Sequence, residues 1–199
     1  MGPELLPMVF TSGWASGINA YAVVLILGLF GRFGSVDSVP AALERTDVLI
    51  VAAVLFAVEA VADKVPFLDS TWDAIHTVVR PVIGAALGLL LAGDASTLEQ
   101  AVLATTGGVT AFASHAVKAG LRAAVNTSPE PASNIAVSTA EDLTVAGVVS
   151  LSVIQPWIAA ALAGCLLVIG LVLAFLALSR IRRVRERRRM RRATENHGP

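Results

Sequence analysis

Six stretches of the chain are apolar over lengths that matter, and each is bounded by residues that start or stop a helix. Residues 11–31 carry no charge until Arg32. Residues 41–63 follow Pro40 and close on Asp63-Lys64-Val65-Pro66, where proline cannot continue a helix. Residues 71–92 hold Pro81 in their middle, which predicts a kink or a surface helix turning into a short span. Residues 97–125 open on Ser96 and Glu99, spaced as a capping box, and run through Gly107-Gly108. The like-spaced pairs Ser70 and Asp73, and Ser138 and Glu141, predict the starts of the third and fifth stretches, the fifth covering 139–154. Gln155-Pro156 then breaks the chain before 157–178. This last run has no charge and, at about 1.5 Å per residue, is long enough to cross a hydrocarbon core of roughly 30 Å.

The pattern predicts an all-α, polytopic integral membrane protein of about six transmembrane helices. Residues 1–179 form one transmembrane domain and 180–199 a basic tail. Composition agrees: 55% of the 199 residues are hydrophobic and 15% charged, against about 25% charged in soluble domains. The net charge of zero hides an asymmetry. Nine arginines crowd the tail against Glu186 and Glu195. By the positive-inside rule such a tail belongs in the cytoplasm. Six spans then bring both termini to the cytoplasmic side of the inner membrane, with Lys64, Lys118 and Arg122 inside and Arg32 and Arg45 outside. Arg182, Arg183, Arg185, Arg187, Arg188 and Arg189 suit anionic lipid headgroups; beside a transmembrane helix, nucleic acid is not the expected partner. The lone Cys165 allows no internal disulfide and no cysteine-based metal site. The start of the chain has no basic n-region, so the first apolar segment is expected to stay as a membrane helix.

Polar residues inside the apolar runs are the candidate chemistry. Asp73, His76 and Arg80 recur at i, i+3 and i+7, as do His115, Lys118 and Arg122, so each trio shares one helix face. Glu59 and Asp63 sit four apart, and Ser16, Asn19, Glu141 and Asp142 fall in the same half of the expected bundle. These predict a mixed-charge pocket of Asn19, Glu59, Asp63, Asp73, His76, Arg80, His115, Lys118 and Arg122, open to the cytoplasmic half. Charges at membrane depth cost about 2.5–3.5 kcal/mol each and pair or face water. The bland alternative is that Lys118 and Arg122 favour a helix C-terminus while Asp73 and Glu141 cap N-termini. Three function classes follow. A small transporter or channel for a small ion or anionic solute leads, and a non-catalytic scaffold or regulatory protein comes next. An intramembrane enzyme is last, because no tight metal or nucleophile motif is present. No cofactor and no metal is expected. The expected partner is the bilayer, with a second copy of the chain left open.

Other features carry two readings each. Gly13 and Gly17, four apart beside Ser12, Ser16 and Asn19, predict close helix packing or a broken helix lining a cavity. Pro81, Ile83, Ala85, Ala86, Leu87 and Leu91 match Pro156, Ile158, Ala160, Ala161, Leu162 and Leu166 in register, which reads as a 3+3 inverted repeat or as chance among Ala/Leu-rich helices. Residues 126–134 read as a rigid turn in which Pro129 and Pro131 prevent helix.

The blocks SGWASGINAY at 12–21, VPAALERTDVL at 39–49, ADKVPFLDSTWDAIHTVVRP at 62–81 and HAVKAGLRAAVNTSPEPASN at 115–134 resemble those of domain-of-unknown-function family 4126, small integral-membrane proteins of bacteria. The resemblance spans about residues 9–178. It implies a multi-span membrane protein and brings no activity and no catalytic residue with it.

Overall fold

A computed structural model describes residues 2–34, 36, 38–65, 68–125 and 131–195, apart from the side chains of 131, 133, 134, 185 and 187–195. The described chain is all-helical: α1 (Leu5–Gly34), α2 (Thr46–Ala62), α3 (Leu68–Ala92), α4 (Thr97–Val125), α5 (Pro131–Ile154) and α6 (Pro156–Glu195). Four helical segments are long and apolar enough to cross a membrane: Leu5–Gly34, Leu68–Ala92, Ile135–Ile154 and Pro156–Val184. On α6 the residues Val168, Val172, Phe175 and Leu176 are exposed; a face of that kind is solvated by lipid rather than water.

Local chemistry explains the helix ends. Ser96 and Glu99 form the expected capping box, Ser96 Oγ and N both donating to Glu99 Oε2 at 2.8 and 3.0 Å. Gly93, at φ +52°, ends α3 in the left-handed conformation that glycine tolerates. The other two pairs do not cap. Ser70 and Asp73 lie inside α3, and Ser138 is buried within α5. Pro131 does not prevent helix but opens α5, as Pro156 opens α6; at a first helical position the missing N–H would have had no partner anyway. Pro66 and residues 126–130 lie outside the described residues. α3 runs through Pro81. α6 runs without interruption into the arginine-rich segment.

Side-chain contacts give the helix directions. Gly13 of α1 meets Gly107 and Thr110 of α4, Gly17 meets Ala111 and Ser114, and Ile18 meets Lys118. The numbers rise together, so α1 and α4 are parallel. α3 opposes both: Arg80 touches Gly17 while His76 touches Tyr21, and Gly84 meets Gly107 while Gly88 meets Leu103. α6 follows α4, with Gly170 at Val117 and Gly120 at Ala174 and Leu178. α5 starts beside the end of α4, where Arg122 meets Glu141, and returns to Pro156 through Gln155 alone.

α2 differs from the rest. Thr46 bonds Arg32 at 2.7 Å, about 20 Å beyond Asn19 along α1. Asp63, just past its other end, shares Lys118 with the Ile18 carbonyl and so lies level with the middle of α1. The chain then turns back to Leu68, and α3 runs the full length of the bundle. Both ends of α2 thus lie in one half of the bundle, while Leu5 and the start of the arginine segment lie towards opposite ends of it.

The core lies between α1 and its neighbours, with Val9, Trp14, Val23, Leu27, Leu87, Leu103, Val145 and Val149 buried. In the half towards Leu5, α1, α3 and α4 approach through glycine. A methyl at Gly84 or Gly107 would overlap the other helix's backbone carbonyl. Small residues permit this contact, which replaces a hydrophobic driving force where lipid is the solvent.

Candidate functional site

α1 is broken at its middle. Asn19 has φ −148° and ψ 95°, outside the helical region, so the carbonyls of residues 15–18 look across the break for their i+4 donors. Side chains from other helices reach two of them: Arg80 Nη1 donates to Gly17 O at 3.2 Å and Lys118 Nζ to Ile18 O at 2.9 Å. Just before the break, Ser114 Oγ donates to Trp14 O at 2.6 Å. Asn19 itself caps the second half-helix, its Oδ1 accepting from Ala22 N at 3.0 Å, and its Nδ2 donates to Asp142 Oδ1 at 3.0 Å.

Around this break sits a buried ionic cluster. Arg80 donates to Glu59 Oε1 at 2.5 Å and lies 3.1 Å from Asp73 Oδ1. Lys118 pairs with Asp63 at 2.5 Å, and Glu59 and Glu141 are within 3.9 Å of it. Arg122 pairs with Glu141 at 2.6 Å, Asp63 at 3.4 Å and Asp69 at 3.6 Å, and it donates to Asp63 O at 2.7 Å. Glu59, Arg80 and Asp69 are fully buried. Lys64 lies 3.9 Å from Asp142. Two negative helix ends thus point at cations: the first half of α1 towards Arg80 and Lys118, and α2 towards Arg122.

The histidines complete the cluster. A guanidinium only donates, so Nδ1 of His115, 2.7 Å from Arg80 Nη1, is unprotonated; Nε2–H donates to Thr77 Oγ1 at 3.1 Å. His76 Nδ1 lies 2.8 Å from the Trp72 carbonyl, and its Nε2 lies 3.0 Å from Tyr21 Oη.

Of the pocket residues expected from sequence, Glu59, Asp63, Asp73, Arg80, His115, Lys118 and Arg122 meet in this buried cluster. Asn19 lies beside it on Asp142, and His76 on Tyr21 and Trp72. Two modest cavities flank the cluster. One of about 130 Å³ is lined by Trp14, Ile18, Ser114, Lys118 and Glu141, and one of about 270 Å³ by Ser70, Asp73, Thr77 and Arg122. Asp73 caps nothing; it serves Arg80 seven residues later on the same face. Tyr21, Asp69, Thr77 and Ser114 escaped sequence reasoning, since nothing marks a lone hydroxyl or acid as a partner of a distant charge. Of the tail arginines, Arg182 and Arg183 are exposed, and the side chains of Arg185, Arg187, Arg188 and Arg189 lie outside the described residues.

Apolar helices around a buried ionic centre define a membrane protein of the all-helical class. The chain belongs to the family described as Domain of unknown function (DUF4126), whose model matches residues 6–175. No curated protein and no solved structure matches it.

Proposed function

We propose that this protein is a small transporter of the bacterial inner membrane, with the ionic cluster at the break of α1 as its ion-handling centre. The observation that carries this reading is the meeting of two half-helices at Asn19, with the freed carbonyls turned towards Arg80 and Lys118. Secondary transporters build their sites where discontinuous helices end at mid-membrane, and ionisable groups at such depth are functional by default. The substrate class is a small ion or an anionic solute, since three buried cations converge there.

In this reading α1, α3, α4, α5 and α6 cross the bilayer, and α2 enters and leaves on the tail side. That side is cytoplasmic. Arg32, Arg45, Lys64, Lys118, Arg122 and the tail all lie between the middle and that end. The other end carries Glu4, Asp94 and Glu99 and, among the described residues, no lysine or arginine. The tail holds anionic headgroups. This reading does not draw on a 3+3 inverted repeat, because α1 and α4 run parallel, whereas inverted halves set their first helices antiparallel.

Vesicles containing the purified protein and loaded in turn with sodium, potassium, chloride or phosphate test the proposal. Efflux of at least one ion above protein-free vesicles, reduced in Glu59→Gln and in Asp73→Asn, is expected. A folded protein that releases none of them overturns it.

A further inference from the structure

We infer that His76 is a reversible proton-binding site, reached through the Tyr21 hydroxyl from the groove between α1 and α2. The inference deepens the transport reading by naming the proton as an ion the cluster takes up, and it rests on separate geometry. The groove encloses about 300 Å³ and is lined by Tyr21, Val24, Asp47, Val48, Val51 and Leu55. Asp47, exposed in the first turn of α2, stands at its tail-side mouth, and half-buried Tyr21 stands at mid-depth. Beyond Tyr21 the imidazole of His76 is buried.

Hydrogen-bond chemistry fixes the direction of each bond. A carbonyl only accepts, so the Nδ1 of His76 that faces Trp72 O carries a hydrogen. In the neutral ring Nε2 then holds a lone pair, and Tyr21 Oη–H donates to it. A proton arriving from groove water bonds to a lone pair of Tyr21 Oη while the hydroxyl's own proton passes to Nε2. Tyrosine ends neutral and His76 ends as imidazolium; the reverse shift returns the proton to the groove. One proton and one positive charge are gained, and no other reactant is needed.

His115 cannot do the same. Its Nδ1 lone pair is taken by Arg80, and its other nitrogen donates to Thr77, which donates onward to Asp73 O at 3.0 Å. Another proton there would have to expel the guanidinium.

The surroundings of His76 bear on its charge from each side. The Trp72 ring stacks on it at 4.6 Å between centroids and 28° between planes, a geometry that favours a cation over the ring face. The charged side chains acting on it are Asp73 and Arg80 of α3 and Lys118 of α4, and Glu59 of α2 acts on the adjoining Tyr21. Tyr21 of α1 bonds it directly, and His115 of α4 lies close enough to act on it. Among the described residues, Glu59 Oε2, Asp63 Oδ1 and Asp73 Oδ2 are buried with no hydrogen-bond donor.

The test uses the full-length protein in lipid nanodiscs with ¹⁵N-labelled histidine. The chain has three histidines, and His197→Gln leaves His76 and His115. On titration between about pH 8 and pH 5, His76 is expected to become imidazolium while His115 stays neutral with its proton on Nε2. Tyr21→Phe is expected to slow exchange of the His76 Nε2 proton with water by about tenfold or more. A His76 that stays neutral across that window, or an exchange rate indifferent to Tyr21→Phe, overturns the inference. Failure here leaves a transporter of some other ion standing, whereas a titrating His76 in a protein without ion flux removes the transport reading alone.

Discussion

Gly17 of α1 lies so close to Ser114 of α4 that a methyl on Gly17 would overlap the Ser114 hydroxyl and the Ala111 carbonyl. Ser114 uses that closeness to donate to the Trp14 carbonyl at 2.6 Å, across the helix interface. One absent carbon thus lets two parallel helices touch just before the break at Asn19, and it sets the reach of Lys118 to Ile18 O.

Gly17→Ala should therefore force α1 and α4 apart. Overpacking of this kind costs about 1–3 kcal/mol or more, and the thermal midpoint in detergent should fall accordingly. Gly147→Ala, where an added methyl meets nothing within 4 Å, should leave the midpoint unchanged or raise it by up to about 1 kcal/mol of helix propensity. Equal effects at the two positions would contradict the packing described.

Glu59→Gln should destabilise strongly, because it withdraws the closest counter-charge from a fully buried Arg80. Breaking one partner of a buried pair costs about 3–5 kcal/mol. Glu99→Gln touches an exposed capping box and should shift the melting midpoint far less. The double variant Glu59→Gln with Arg80→Gln should recover part of the loss, read as a coupling energy in a double-mutant cycle. Strict additivity would mean that the pair does not hold the cluster.

The helix directions predict opposite labelling of the two ends. In a Cys165→Ser background, an impermeant maleimide applied to intact spheroplasts should react with Glu4→Cys and Asp94→Cys. It should reach Arg45→Cys and Glu186→Cys only after lysis. Labelling of Glu4→Cys and Glu186→Cys from the same side would refute the arrangement of five traversing helices.

Removing residues 180–199 should weaken retention of anionic lipid by the purified protein. Each cation near the surface contributes about 1 kcal/mol, and the effect should fade at high salt, where screening shortens its range to a few ångströms. Lipid analysis of the intact and truncated proteins, washed at low and high ionic strength, reads this out. Identical lipid content throughout would exclude a headgroup-binding tail.

Much of this architecture is legible along the chain. The apolar runs locate the helices, Ser96 and Glu99 mark the start of α4, and the short Gly93-Asp94-Ala95 link predicts the antiparallel hairpin of α3 and α4. The i, i+3, i+7 spacing gathers His76 with Arg80 and His115 with Lys118, and glycine at 13 and 17 announces close approach, whereas nothing along the chain marks Gly107 as the partner of Gly13. The depth of α2 is not legible, because Ile50, Val54 and Val61 face outwards whatever part of the bundle the helix occupies. Nor is the partner of Asp73: its spacing from Ser70 imitates a cap, while the guanidinium that claims it comes seven residues later. The break at Asn19 could be suspected from small and polar neighbours, but its position depends on Asp142, Arg80 and Lys118 arriving from three other helices.

The glycine-packed half of the bundle has an electrical consequence. Charged and polar side chains fill the half towards the tail, while α1, α3 and α4 close the other half backbone to backbone around Gly13, Gly84 and Gly107. A tight, weakly polarisable septum in series with a polarisable compartment takes most of an applied voltage. A charge that passes the septum would therefore traverse nearly the whole membrane potential, about 2.3 kcal/mol per 100 mV. A proton exchanging only between the α1–α2 groove and His76 would sense little of it.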